Sequence, residues 1–452
     1  RPAGMHAEGT SPPRLAIHQF LSSLQSPVRI LVAVSGGSDS TGLLLLLDEA
    51  VKAAPHLKIS LCAATVDHAL RAGSADEARQ VAALCASLGI PHTVATWRGE
   101  KPKTGVMAAA REARYGLLAE AAKALGADLI VTGHTLDDQR ETLAMRGMRT
   151  EQVSSGIADA VLFDRRFWIL RPLLFSTRTD IRAFLRERGV TWIDDPSNED
   201  TKYERVRMRR RLSAGTDTKQ DIRAIWGERL ILSSRGAEWL DRHFLLHGGL
   251  LGQVMHDGLR EDRAVLDYAL GRLTGVFGGQ PFVPGRAQMD RILAFAAGGE
   301  PGRMTAGRVV FDLRRDGLYL ARESRGILPL VLQPGEAGVW DGRFRVRNDL
   351  TTSTKVDVVA GSSPSAGMRG DHFDRLPQSA WKRAVASAPA LSSNGAYLSP
   401  ESARSVELTP YFAPFDRFLT RFDFIFANRL SAIFATAPYA RPPLRTIDGK
   451  TI

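Results

Sequence analysis

Cysteine is nearly absent. The 452 residues hold two, Cys62 and Cys85, and neither belongs to a C-x-x-C pair. That excludes a disulfide framework, a zinc ribbon and a cysteine-ligated cluster. Cys62 falls in an apolar strand pattern and Cys85 in a helical one, where a small buried side chain is expected. No apolar run approaches the roughly 20 residues of a membrane helix. The N-terminal stretch lacks the basic-then-apolar layout of a secretory leader. A cytoplasmic protein with no membrane partner is expected. No internal repeat is found. Acidic side chains are the minority charge: 49 Asp and Glu stand against 60 Lys and Arg, a formal net charge of +11. Such an excess points to a polyanionic partner, nucleic acid above all. The length exceeds what one core usually serves, so two or three domains are expected.

A further absence narrows the chemistry. Ser35-Gly36-Gly37-Ser38-Asp39-Ser40 lies between an apolar strand pattern, Arg29 to Val34, and a helix pattern from Thr41 to Val51 with leucine at every position from 43 to 47. A strand–glycine loop–helix unit offers unpaired backbone N–H groups and the positive end of a helix dipole to an anion. Gly36 and Gly37 leave no Cβ in the way, and Ser35, Ser38 and Ser40 add hydroxyls. Yet the Lys-Ser/Thr pair that completes a Walker loop is missing. Asp39 stands in the loop instead. A carboxylate among phosphates is repulsive unless a divalent cation stands between them. The loop therefore suggests magnesium-chelated pyrophosphate, and so ATP split to AMP rather than γ-phosphoryl transfer. Capping of the following helix is a second role open to Asp39.

Strand and helix patterns alternate from residue 28 to about 132, which predicts a doubly wound parallel α/β sheet. Strands are expected at 58–66, 90–96, 128–132 and 167–170. Helices are expected from Ser74, opened by the capping box Ser74-Ala75-Asp76-Glu77, and over 105–125, 136–148 and 178–188. The polar loops 35–40, 67–74 and 133–139 then share the carboxyl edge of the sheet. Residues 220–299 read as helical, residues 309–321 and 339–346 as hairpins around Asp316-Gly317 and Asp341-Gly342, and residues 351–368 as a linker. The last hundred residues carry no interpretable motif.

Asp67-His68 ends the second strand. His134, Asp137 and Asp138 open the helix after the fourth, where the dipole favours carboxylates with or without a substrate. Arg111 and Arg114 share a helix face, as do Arg146 and Arg149. Lys202 and the run Arg205-Val206-Arg207-Met208-Arg209-Arg210-Arg211 form the densest positive cluster, suited to phosphates and to salt-dependent affinity.

The Ser35–Ser40 loop, Asp67-His68-Ala69-Leu70-Arg71, and Gly133-His134 with Asp137-Asp138-Gln139-Arg140-Glu141-Thr142 resemble the PP-loop ATP pyrophosphatases. More narrowly they resemble the tRNA(Ile)-lysidine synthetase family, a match strengthened by Arg171-Pro172-Leu173-Leu174 and Asp195-Pro196-Ser197-Asn198. The chain departs from that family in His134-Thr135, where many members have two histidines, and at Val206, where an asparagine is common. The resemblance implies ATP and Mg2+ as cofactors, and free L-lysine and the CAU-anticodon tRNA(Ile) as partners. The reaction implied joins lysine to C2 of the wobble cytidine through an adenylated intermediate, giving lysidine, AMP and pyrophosphate. It implies Ser35 to Ser40, Asp67, His68 and Arg111 at ATP, with Asp39 on the metal. Asp39, His134, Asp137 and Asp138 are the candidate catalytic residues. The last three either bind cytidine or lysine or take the proton from the lysine ammonium, which must be neutral to attack. Arg146, Arg149, Arg171, Arg205, Arg207 and Arg209 are expected on tRNA. The expected domains are a catalytic one over 1–215, a mainly helical tRNA-binding one over 216–325 and a tRNA-contacting α+β region over 326–452; a homodimer is compatible with all of this. The competing readings are another PP-loop tRNA-modifying enzyme and a non-catalytic RNA-binding protein on a degenerate nucleotide fold. A thiolase calls for partnered cysteines, and a decayed site has no need of Asp39.

Overall fold

A computed structural model describes residues 10–67, 74–98, 106–147, 154–193, 221–358 and 371–445. The apolar run after Pro27 forms β1 (Val28–Ala33), buried at every position but Arg29. Around it the chain lays down α1 (Pro13–Ser23), α2 (Ser38–Ala53), β2 (Ile59–Asp67), α3 (Ser74–Leu88), β3 (His92–Thr96) and α4 (Val106–Ala124). Then follow β4 (Leu129–Val131), α5 (Leu136–Gly147), β5 (Ala160–Phe163), β6 (Phe167–Leu170) and α6 (Arg178–Glu187). Strands β5, β6, β4, β1, β2 and β3 lie side by side in that order. All neighbours are parallel except β5 and β6. The sheet is the doubly wound parallel one that the alternation predicts.

Both faces of that sheet are covered. Leu31 and Ala33 of β1, Cys62 and Ala64 of β2, Ile130 of β4 and Ile169 of β6 form one buried cluster with Tyr115, Leu118, Ala119 and Ala122 of α4. Their alternates Ile30 and Val32 are equally inaccessible, as parallel strands between helices require. Both cysteines are free and buried, and burial pushes the Cys85 thiol up to about 11. From β1 the chain moves outward to β2 and β3, then returns to β4 on the other side. The loops after β1 and β4 therefore diverge over a crevice at the carboxyl edge, where such sheets bind ligands.

Backbone contacts divide the chain into two units, residues 1–227 with 440–452, and residues 228–439. The second contains a five-stranded antiparallel sheet in the order Phe244–His247, Leu251–Met255, Gly317–Arg322, Val309–Arg314, Gly302–Ala306. Two of these strands fall inside 220–299, which the sequence reading gave as helical; Gly248 and Gly249, both at positive φ, turn one strand into the next. Leu250, Leu251, Tyr319 and Ala321 share a buried cluster with Leu376, Ala380, Trp381 and Ala384. The expected helical and α+β regions thus meet in one core. Thr354–Val358, expected within a linker, pairs with Pro389–Ser393, and its Val356 packs beside Trp340 and Val346. Among the described residues no helix is long and apolar enough to cross a membrane.

The seat of α6 on α2 decides what faces the loop after β1. A Cβ at Gly42 would lie 2.3 Å from Cγ2 of Ile181, whose side chain is fully buried. Gly42→Val should force the helices apart at a cost of about 1–3 kcal/mol. The urea midpoint should fall accordingly; an unchanged midpoint would show that the two helices are not seated this way.

Candidate active site

The turn from β1 into α2 is held from within. Ser40 Oγ meets the Ser35 amide and the Ser35 hydroxyl, each at 3.1 Å, and donates to the Gly37 carbonyl at 3.3 Å. Gly36 sits at φ +90°, and a Cβ there would lie 2.6 Å from Ile193 Cδ1; the Ile193 amide donates to the Gly36 carbonyl at 2.9 Å. Glycine serves both the left-handed turn and the close approach. No side chain caps α2 at Gly37, so its first turn keeps the anion-binding character of a helix start. Asp39, in that first turn, does not cap the helix at its N-cap position. Its Oδ1 accepts from Ser38 Oγ at 3.1 Å and its Oδ2 from Arg178 Nε at 2.9 Å.

The loop after β4 comes directly against this turn. A Cβ at Gly133 would lie 2.9 Å from the Asp39 carbonyl and the Ser40 amide nitrogen, so only glycine brings the two backbones this close. His134 follows, half-buried, its Nδ1 2.9 Å from Thr132 Oγ1. Asp138 reaches back to the start of α5, accepting from the Thr135 amide at 2.9 Å and its hydroxyl at 3.1 Å, the carboxylate half of a capping box. Asp137 Oδ2 accepts from the Arg178 backbone amide at 2.8 Å.

Arg178 and Glu141 were not among the candidate site residues, although Glu141 stands in the Asp137–Thr142 motif, and they complete the cluster. The Arg178 guanidinium lies 2.9 Å from Asp39, 3.6 Å from Asp138 and 4.0 Å from Glu141. Its helix is started by Thr177, whose hydroxyl oxygen accepts from the Asp180 amide. Burial pushes the Asp39 carboxyl above its ordinary range, and the opposing pull of Arg178 does not cancel that. Burial works against the Arg178 charge, but Asp39 and Asp138 outweigh it and raise its pKa. One turn on, Arg182 Nε donates to Ser38 Oγ at 3.2 Å and its guanidinium lies over the Trp192 ring.

The other candidate residues are dispersed. Asp67 ends β2, with its carbonyl accepting from the Trp97 amide. Arg111 is exposed on α4, its guanidinium 5.6 Å from the Tyr115 ring centroid. Arg146 donates to Ser154 Oγ at 3.2 Å and to the Gly156 carbonyl at 2.9 Å, which ties the end of α5 to the loop beyond it. Arg171 corrects the sequence reading. It is 4% exposed, donates to the Ala158 carbonyl and lies 3.4 Å from the Tyr115 hydroxyl. A side chain spent this way braces the sheet and offers no surface charge to a phosphate. Burial resists ionisation of Tyr115, but Arg171, Arg111 and Arg114 overcome this and hold the phenol at about 8. His68, Arg149, Arg205, Arg207 and Arg209 lie outside the described residues.

The sequence profile of the PP-loop domain family matches residues 13–215. The tRNA(Ile)-lysidine synthase of Rhizobium meliloti (strain 1021) is 43% identical, across 95% of this chain and 96% of its own length. That of Mesorhizobium japonicum is 38% identical, across 92% and 94%, and that of Brucella anthropi 32%, across 89% and 93%. With the PP-loop sheet beneath this similarity over nearly the whole chain, the chain belongs to the tRNA(Ile)-lysidine synthase family: it is a PP-loop ligase that uses ATP to modify tRNA.

Proposed function

We propose that the chain adenylates the wobble cytidine of the CAU-anticodon tRNA(Ile) and then joins free L-lysine to it. Replacing the C2 oxygen of cytosine by an amine nitrogen requires that oxygen to become a leaving group. Attack of O2 on the α-phosphorus of ATP expels pyrophosphate; attack of the lysine ε-amine on C2 then expels AMP. The observation that carries this reading is the uncapped start of α2 facing the carboxylates of α5 across Gly133.

In this assignment the Ser35–Ser40 amides and hydroxyls hold the departing pyrophosphate, as fixed dipoles aimed at developing charge. Asp39 is the proposed magnesium ligand, and the donors around it fit that role. They are oxygens, suited to a hard cation, and a guanidinium already rests on the carboxylate. Among the described residues no group of three or more His, Cys, Asp or Glu side chains forms a closed metal cage. A magnesium ion that shares Asp39 with phosphates and water needs none. When bound it neutralises the charge of the leaving group. Asp137 and Asp138 are assigned to the lysine ammonium, with the His134, Asp137 and Asp138 group accepting its proton before attack. Arg207 and Arg209, with Arg205, Arg146 and Arg149, are assigned to tRNA phosphates. Asp67, His68 and Arg111 are assigned to the nucleotide. A cytoplasmic location follows from a tRNA substrate.

Mass analysis of tRNA nucleosides after incubation with ATP and lysine should show lysidine in place of the wobble cytidine; unmodified cytidine with intact binding would refute the reaction. Asp39→Asn should lower pyrophosphate release by about 100-fold or more while leaving tRNA affinity nearly unchanged. Loss of tRNA binding with release preserved would mean the role is misassigned. Replacing Arg207 and Arg209 by Ala should weaken tRNA binding and reduce the slope of log affinity against log salt by about 1.5. An unaltered slope would count against phosphate contact.

A further inference from the structure

We propose that Arg178 is a positioning residue that stands in for the metal: it holds the Asp39 carboxylate while no divalent cation is bound and gives it up when one arrives. The inference rests on the assignment of Asp39 as metal ligand. Both Asp39 oxygens are engaged, Oδ1 by Ser38 and Oδ2 by the Arg178 Nε–H at 2.9 Å. A magnesium ion takes its oxygen ligands at about 2.0–2.1 Å and cannot share Oδ2 with a guanidinium in contact with it. Where the metal takes Oδ2, the guanidinium must leave that oxygen. Arg178 has somewhere to go, because Asp138 Oδ1 is 3.6 Å and Glu141 Oε1 4.0 Å from its terminal nitrogens. Its backbone stays fixed by Asp137 and by the start of α6. The guanidinium therefore passes from Asp39 to Asp138 and Glu141 with its counter-charge preserved.

Such a stand-in serves the fold as well as the reaction. Asp39, Asp138 and Glu141 converge on one small volume, with side-chain exposures of 18%, 16% and 3%. Like charges this close repel unless a cation lies among them. Arg178 supplies that cation in the metal-free enzyme, so the metal meets a carboxylate already in place. The competition also weakens metal binding in the absence of nucleotide. Phosphate oxygens at the α2 N-terminus would then add the ligands that tip the balance toward the metal. Arg182, one turn away, donates to Ser38 Oγ, the hydroxyl that in turn donates to Asp39 Oδ1.

The test is Mn2+ binding to the full chain without ATP or tRNA, read from the paramagnetic resonance signal of free Mn2+. Arg178→Gln should bind Mn2+ about ten-fold more tightly than the wild type, the effect of removing one competing charge at close range. Arg178→Lys, which keeps the charge, should stay closer to the wild type than Arg178→Gln does. Asp39→Asn should lose this class of site. Unchanged or weaker binding by Arg178→Gln, with the site still lost in Asp39→Asn, overturns the stand-in role and leaves Asp39 as ligand. Wild-type binding by Asp39→Asn instead overturns the Asp39 assignment itself. Should Arg178→Gln fail to fold, the nitrogen-15 Nε–H resonance of Arg178 in the wild type, identified by its loss in Arg178→Lys, decides. A shift on saturation with Mg2+ and an ATP analogue supports the exchange, and an unmoved signal overturns it.

Discussion

The charge balance between Arg178 and the carboxylates around it is the constraint on which the site depends. Asp39 belongs to α2, Asp137, Asp138 and Glu141 to α5, and Arg178 to α6. The starts of α2 and α5, at one sheet edge, would bring these carboxylates into mutual repulsion if nothing neutralised them. The guanidinium does so with direct pairing to Asp39 and ion pairs to Asp138 and Glu141, while its own amide fixes Asp137. A buried charge left without its partner is strongly destabilising, so the five residues stand or fall together.

The fold supplies this meeting through small residues at close approaches. Gly42 lets Ile181 settle on α2, which sets Arg178 and Arg182 of α6 above the β1–α2 turn. Gly133 lets the β4–α5 loop touch the backbone of Asp39 and Ser40. The parallel order around β1 and β4 opens the crevice in which these parts converge. A nucleotide-splitting ligase needs dipoles for a leaving pyrophosphate and carboxylates for an incoming amine. The first unit presents both at one edge.

The part of this that sequence reveals is the part written locally. The Ser35–Ser40 turn, the helix starts at Leu136 and Arg178, and strands β1, β2, β4 and β6 follow from apolar periodicity and turn chemistry over a few residues. Arg178 escaped notice because its partner Asp39 lies 139 residues away; in sequence it is one basic residue in a basic helix. The available signal was its place in the first turn of a helix at the functional edge, where a cation opposes the dipole and needs a reason. Arg171 misled for the converse reason: the Arg171-Pro172-Leu173-Leu174 motif set it among the arginines expected on tRNA, and only the packing at the end of β6 shows it enclosed. The strands at Phe244–His247 and Leu251–Met255 were hidden by the helical stretches on either side, although Gly248-Gly249 between two apolar runs is a hairpin signal. Thr354–Val358 was masked by Ser, Thr and Gly around it, since pairing with Pro389–Ser393 is a long-range choice.

A crystal structure with a non-hydrolysable ATP analogue and magnesium tests the central claim most directly. The account predicts the β- and γ-phosphates against the backbone amides of Ser35–Ser40, a magnesium ion on Asp39, and Arg178 moved off Oδ2 toward Asp138 and Glu141. Phosphates bound elsewhere, with Arg178 still on Asp39, would contradict it.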